Sequence, residues 1–173
     1  LLWDEAVSLR PGSTVVEIGS HQGRSTVVLA NAVAGSGSTV VAIDPFVDGR
    51  LFGGRATRDL FEANLRRAGV ADAVSLLAEY STRARPSWSA PIDALYIDGK
   101  HDYWTLSDDL RWAEYLPQGS PVLVHDCYSS IGVTLGVLAH VLPSRQLRYE
   151  RREGSLALFR MAKPTAADRL RIL

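Results

Sequence analysis

Thr14-Val15-Val16-Glu17-Ile18-Gly19-Ser20-His21-Gln22-Gly23-Arg24-Ser25 is the stretch that decides the fold of this chain. Thr14 to Ile18 is a short β-favouring run and reads as a first strand. Gly19 lets the chain turn sharply after it. Gly23 permits close approach of the backbone to a ligand and to the following helix, expected near Gly23 to Ala34. Exposed N–H groups at the start of such a helix can hold an anionic group. The segment is therefore a strand-loop-helix unit suited to a nucleotide-like ligand.

Working outward, short apolar runs alternate with helical patterns. Strands are expected at Thr39 to Ile43, Ala73 to Ala78, Ala94 to Ile97 and Pro121 to Val124. Helices are expected at Thr57 to Ala68, ended by Gly69, at Thr105 to Leu116, capped at Thr105 or Ser107, and at Ile131 to Leu142 despite Gly132 and Gly136. Leu147 to Arg152, Glu153-Gly154, then Ser155 to Arg160 reads as a β-hairpin. Val15-Val16-Glu17-Ile18, Val40-Val41-Ala42-Ile43 and Val122-Leu123-Val124 do not alternate with polar residues. That pattern means burial on both faces, as in a parallel sheet covered by helices. The expected class is α/β: a doubly wound sheet with an antiparallel edge.

Bulk properties fit this picture. The 173 residues suit one domain spanning 1–173, and 19 Lys and Arg balance 19 Asp and Glu. A balanced charge speaks against nucleic acid as the main partner, which would need a concentrated positive field. Two arginine clusters, Arg50/Arg55/Arg58 and Arg145/Arg148/Arg151/Arg152, read as solvated surface. Cys127 is the single cysteine, so no internal disulfide forms, which fits a reducing, cytoplasmic compartment. No apolar run approaches the roughly 18 residues of a membrane span, and no signal peptide is visible. The chain starts at Leu1-Leu2-Trp3 without Met, so a missing natural N-terminus is expected.

In doubly wound sheets ligands bind beyond the carboxyl ends of the strands. Those ends here carry Glu17, Asp44, Glu79, Asp98 and Asp126. A carboxylate at Glu17 repels a pyrophosphate but attracts the ammonium of a methionine-bearing methyl donor. His21 and Gln22 also interrupt the dinucleotide glycine pattern. Asp44 lies 25 positions after Gly19 and can accept both ribose hydroxyls of an adenosine ligand. Asp98-Gly99-Lys100-His101 follows the fourth strand. His101, with an unperturbed pKa of about 6.5, can exchange protons near neutral pH. His125-Asp126 ends the fifth strand. If Asp98 and Asp126 meet, their repulsion calls for a proton or a cation between them, and oxygen ligands would suit Mg²⁺. A purely capping Asp126 is the alternative.

In this order, Glu17-Ile18-Gly19-Ser20-x-x-Gly23-x-Ser25, Ile43-Asp44-Pro45, Phe61-x-x-Asn64-Leu65, Tyr96-Ile97-Asp98-Gly99-x-His101-x-Tyr103, Asp108-x-x-x-Trp112, Leu116-x-x-Gly119, His125-Asp126 and Gly132-Val133 form a specific set. It resembles the class I S-adenosylmethionine-dependent methyltransferases of the small-molecule O-methyltransferase type, methyltransferase family 24, over about residues 11–160. The resemblance implies a Rossmann-like seven-stranded sheet, mostly parallel with an antiparallel C-terminal strand. It implies that Glu17, Gly19, Ser20, Gly23 and Ser25 surround the methionine part of the donor. Asp44 would bind the ribose, and Ala78, Glu79 and Tyr80 would flank the adenine. Related catechol-type enzymes hold Mg²⁺ at the positions of Asp98, Asp126 and the next residue, here Cys127. A thiol is a poor ligand for that ion, so either His125 compensates or no metal is needed.

The expected chemistry is O-methylation of a small-molecule hydroxyl on a sugar, polyketide or phenol. Asp98, His101 and His125 are the candidate bases, with His101 favoured and oriented by an acidic neighbour. Asp98 could instead hold the donor's ammonium. Two rivals remain open: a non-catalytic adenosine-binding domain and an NAD-binding oxidoreductase. The second lacks Gly-x-Gly-x-x-Gly and a Tyr-x-x-x-Lys. The loop Phe46 to Thr57, with Gly49, Gly53 and Gly54, is expected to form a mobile lid over the acceptor. Few residues precede the first strand, so the rest of the cover is small or comes from a partner subunit in a homo-oligomer.

Overall fold

A computed structural model describes residues 1–48 and 54–172. Gly49, Arg50 and Gly53 of the expected lid fall outside the described residues. The strands are β1 (Thr14–Ile18), β2 (Thr39–Ile43), β3 (Val74–Leu77), β4 (Ala94–Ile97), β5 (Pro121–Val124), β6 (Leu147–Glu153) and β7 (Leu156–Met161). They form a seven-stranded sheet in the order β3-β2-β1-β4-β5-β7-β6. β1 to β5 pair in parallel, and β7 lies antiparallel between β5 and β6. The outermost strand of the hairpin, β6, therefore runs the same way as β1 to β5. The mostly parallel sheet with an antiparallel C-terminal strand is what the sequence led one to expect.

Successive residues of each strand feed opposite layers. Val16, Ile18, Val41, Ile43, Leu95, Ile97, Val122 and Val124 join one core. Val15, Val40, Ala42, Ala94, Tyr96 and Leu123 join the other. The first core is closed by α5 (Tyr103–Asp109) and α6 (Ile131–His140), which contribute Leu106, Val133 and Val137. The second is closed by α1 (Leu2–Val7), α2 (Arg24–Ala32) and α3 (Arg55–Ala68), which contribute Ala6, Leu29, Phe61 and Leu65. Both faces are apolar because both are covered.

Three differences matter for the site. The helix expected at Thr105 begins at Tyr103, and its cap is Asp102, whose carboxylate accepts the Thr105 N–H at 2.9 Å. It tightens into a 3₁₀ segment from Leu110 to Tyr115. A short helix, α4 (Ser81–Ala84), follows β3 in a stretch for which no element was expected. The glycines of α6 have a packing reason. A Cβ on Gly132 would lie 2.8 Å from the His101 carbonyl oxygen, and one on Gly136 would lie 2.7 Å from Leu106 Cδ2. They let α6 press against α5 and the loop after β4. A last helix, α7 (Ala166–Arg171), is held by a Thr165/Asp168 capping box. Among the described residues no helix is long and apolar enough to cross a membrane.

Candidate active site

The carboxyl ends of β1, β2 and β4 open into a cleft of about 900 Å³, a volume suited to a small-molecule cofactor. Its wall includes Gly19, Ser20, Ser25, Asp44, Asp98 and His101. Backbone conformations uncommon for side-chain-bearing residues gather at the strand ends: φ is +45° at His21, +44° at Phe46, +54° at Asp126 and +66° at Tyr128. Such strain persists only where the surroundings hold it, and it clusters at functional sites.

Gly19 (φ +89°) lets the chain leaving β1 press against the chain leaving β4. A Cβ there would lie 2.2 Å from the Asp98 carbonyl oxygen. No other residue type allows the ends of β1 and β4 to meet in this way. Beyond it, Ser20 is buried with an Oγ that has no hydrogen-bond partner. Gly23 caps α2 in a left-handed conformation, and a Cβ on it would meet the Phe61 ring at 3.0 Å. It shapes the loop from behind and is not part of the cleft wall.

Glu17 departs from its expected place. It does not line the cleft but lies fully buried beneath the loop. Thr26 donates its hydroxyl to Glu17 Oε2, and Oε1 has no partner. Burial pushes the carboxyl up to about 7, against the lowering influence of the nearby hydroxyls of Ser25 and Thr26. The strand period turns position 17 inward, so its carboxylate lies against the start of α2 and not on the cleft wall.

Asp44 stands at the cleft as expected. Its Oδ2 accepts the His21 N–H and its Oδ1 accepts the Phe46 N–H, each at 2.8 Å. The carboxylate thus ties the loop after β1 to the loop after β2, and each oxygen retains a lone pair for a ligand hydroxyl. Ala78 and Glu79 are a second correction. β3 ends at Leu77, and the Glu79 N–H turns back onto the Leu77 carbonyl at 2.9 Å. Both residues face solvent, and Tyr80 and Ser81 line the cleft in their stead.

At the other end the structure brings together four side chains from two strand ends. His101 Nε2 is 3.0 Å from Asp126 Oδ2 and 3.7 Å from Asp98 Oδ1. His125 Nδ1 is 3.3 Å from both carboxylates. The Tyr96 hydroxyl donates to Asp98 Oδ2 at 2.8 Å. Burial raises the Asp98 pKa, and His125, Tyr96 and His101 oppose it. Asp126 titrates below its ordinary range: burial would raise it, but the Ser129 hydroxyl and His125 outweigh that. The imidazoles occupy the space between two acids that would otherwise repel one another. His101 lines the cleft; His125 and Asp126 stand behind it.

Cys127, the third position of the Mg²⁺ set implied by the resemblance, is turned into the core. Its thiol is buried and pushed up to about 12. Asp98, Asp126 and Cys127 therefore do not fit as a Mg²⁺ triad. Asp98, His101 and Asp126 each offer an atom within 4.8 Å of the others, a mixed nitrogen and oxygen set.

The sequence reading missed Asp109. Asp108, which the motif Asp108-x-x-x-Trp112 singled out, faces Arg111 at 3.8 Å and is partly exposed, whereas Asp109 is 1% exposed and lines the cleft. The signal was present: Asp109 follows the buried Leu106 by three, the helical spacing of one face.

The methyltransferase-domain family model matches residues 16–127. Among solved structures, the cofactor-bound Rv0187 protein from MTB is 22% identical with a TM-score of 0.73, over 94% of this chain and 78% of that one. The O-methyltransferase TomG from Streptomyces achromogenes, solved with SAM and involved in tomaymycin synthesis, is 20% identical with a TM-score of 0.71, over 93% and 78%. A putative rRNA-methylase from Clostridium thermocellum is 18% identical with a TM-score of 0.71, over 94% of both chains. The matched residues run from the strand before the glycine turn to the core-facing cysteine, so they contain both ends of the cleft, and the chain belongs to the methyltransferase-domain family as a class I S-adenosylmethionine-dependent methyltransferase.

Proposed function

We propose that the protein transfers the methyl group of S-adenosylmethionine to a hydroxyl of a small molecule. The observation that carries this reading is His101, exposed on the cleft wall with its Nε2 3.0 Å from Asp126. The donor's methionine carboxylate would meet the N–H groups at the start of α2 and the hydroxyls of Ser20 and Ser25. Its ribose would meet Asp44, and its adenine would reach toward Tyr80 and Ser81.

The sulfonium is already a strong methyl electrophile, so the protein must align the acceptor oxygen for in-line attack and take its proton. With Nε2 held 3.0 Å from the Asp126 carboxylate, Nδ1 of His101 is left to accept that proton. An O–CH₃ bond forms, the S–CH₃ bond breaks, and the electron pair leaves on sulfur as the neutral thioether. Asp98 and Asp126 stabilise the imidazolium that results. His125 holds the two carboxylates together.

A small acceptor is favoured over nucleic acid by the fate of the arginines. Arg151 lies near Glu5 and Glu153, Arg152 lies over the Tyr128 ring, Arg160 pairs with Glu5 and Glu150, and Arg58 pairs with Glu62. These charges are answered within the chain, which leaves little field for phosphates. A second reading is favoured by the 4.8 Å grouping of Asp98, His101 and Asp126: a divalent ion that accepts nitrogen donors more readily than Mg²⁺ does.

The test is methyl transfer from labelled S-adenosylmethionine to a panel of phenols, sugars and polyketide alcohols. His101→Ala should lower kcat by roughly 10²–10³ and leave the affinity for S-adenosylhomocysteine within about twofold. Unchanged kcat in the variant, or transfer only to RNA, overturns the proposal.

A further inference from the structure

We infer that Asp109 recognises the donor's base, accepting a hydrogen bond from the 6-amino group of the adenine and so selecting S-adenosylmethionine by its nucleobase. This rests on the reading of the cleft as the donor site. Asp109 is 1% exposed, lines the cleft, and has an Oδ2 with no hydrogen-bond partner. A buried carboxylate oxygen without a donor is costly, and the cost vanishes when a ligand brings the missing N–H.

Its surroundings fix which part of the ligand that is. Ser81, on α4 after β3, donates its hydroxyl to Asp109 Oδ1. That bond orients the carboxylate and leaves Oδ2 as the free oxygen. Oδ2 would lie 3.2 Å from a Cβ on Gly99, so it sits beside the backbone after β4. Asp44, the ribose residue, stands at the end of β2, and the glycine loop that would take the methionine lies after β1. The base is then left the part of the wall that includes Tyr80, Ser81, Thr105 and Asp109. Adenine's hydrogen-bond donor there is its exocyclic amine. Burial also pushes the Asp109 carboxyl up to about 6, opposed by the Ser81 hydroxyl and aided by Asp108 and Asp102. It is thus an ionised acceptor above that pH.

The experiment compares two ligands by calorimetry at pH 8: S-adenosylhomocysteine and the analogue in which hydrogen replaces the 6-amino group. The wild-type protein should bind the amino form about tenfold or more tightly, the worth of one charge-assisted bond. In Asp109→Asn, Ser81 would still donate to the side-chain oxygen, which turns the amide nitrogen toward the base. The ratio should fall to about one, with affinity for the deaminated analogue little changed. A wild-type ratio near one overturns the inference without any variant. So does an Asn variant that keeps the wild-type ratio, or one that weakens both ligands equally. If the wild type binds neither ligand, the donor-site reading itself fails, and that result is distinct from binding without discrimination.

Discussion

The two ends of the cleft are built differently. The end proposed for the donor is made of backbone: a turn that only glycine allows at position 19, N–H groups at the start of α2, and an Asp44 whose oxygens tie two loops together. The end proposed for the acceptor is made of side chains, with His101 and Asp98 from the loop after β4 and His125 and Asp126 from the end of β5. A backbone cradle tolerates little change because its geometry is the chain's own path. A side-chain cluster can be altered one group at a time, and each alteration removes one chemical role.

Gly19→Ala is the sharpest way to break the donor end. The new Cβ would meet the Asp98 backbone at 2.2 Å in a φ of +89°, so strands β1 and β4 must separate. A loss of about 3 kcal/mol or more in stability is expected, with donor binding abolished. Chemical denaturation and calorimetry check both. An alanine variant that melts and binds like the wild type would show that the two strand ends do not depend on this contact.

Glu17→Gln probes the same end from beneath and should act in the opposite direction. In the fold Glu17 holds its proton up to about pH 7, whereas in the unfolded chain it releases it near about 4.3. Between those values the folded state binds more protons, so stability falls as pH rises. Removing the charge should remove that slope and stabilise the protein by about 3 kcal/mol at pH 8, with little gain at pH 4.5. Denaturation midpoints for both proteins across this range test it. Parallel curves would mean that the carboxylate finds a donor for its free Oε1.

The smallest effect is expected from removing metal ions. Because Cys127 faces the core and not the carboxylates, exhaustive dialysis against a chelator should leave kcat within about twofold. Loss of activity that Mn²⁺ or Zn²⁺ restores better than Mg²⁺ would favour the mixed-donor ion over the His101–Asp126 pair as the source of reactivity.

How much of this was legible beforehand follows the same division. β1, β2, β4 and β5 were readable to the residue from non-alternating apolar runs, since burial on both faces leaves a local mark. Asp44, Asp98 and His101 were readable as cleft residues because the carboxyl ends of the strands in a doubly wound sheet open into the cleft. Ala78 and Glu79 were misplaced because a turn after Leu77 directs them outward, and nothing in their residue types announces it. Asp109 was passed over for its neighbour Asp108, because on a helix one position is a rotation of about 100°, and only packing shows which of two adjacent acids is inside.

The sequence by itself determined the layered α/β sheet, the glycine turn at Gly19 and the class of cofactor, because each depends on local pattern and short spacing. Tertiary structure decided that Glu17 lies under the loop, that Cys127 is in the core, and that two histidines stand between Asp98 and Asp126. It also decided that Asp109 and Ser81, 28 residues apart, share one hydrogen bond in the cleft wall. These are meetings between distant segments, set by how helices seat on the sheet, and no local pattern encodes them.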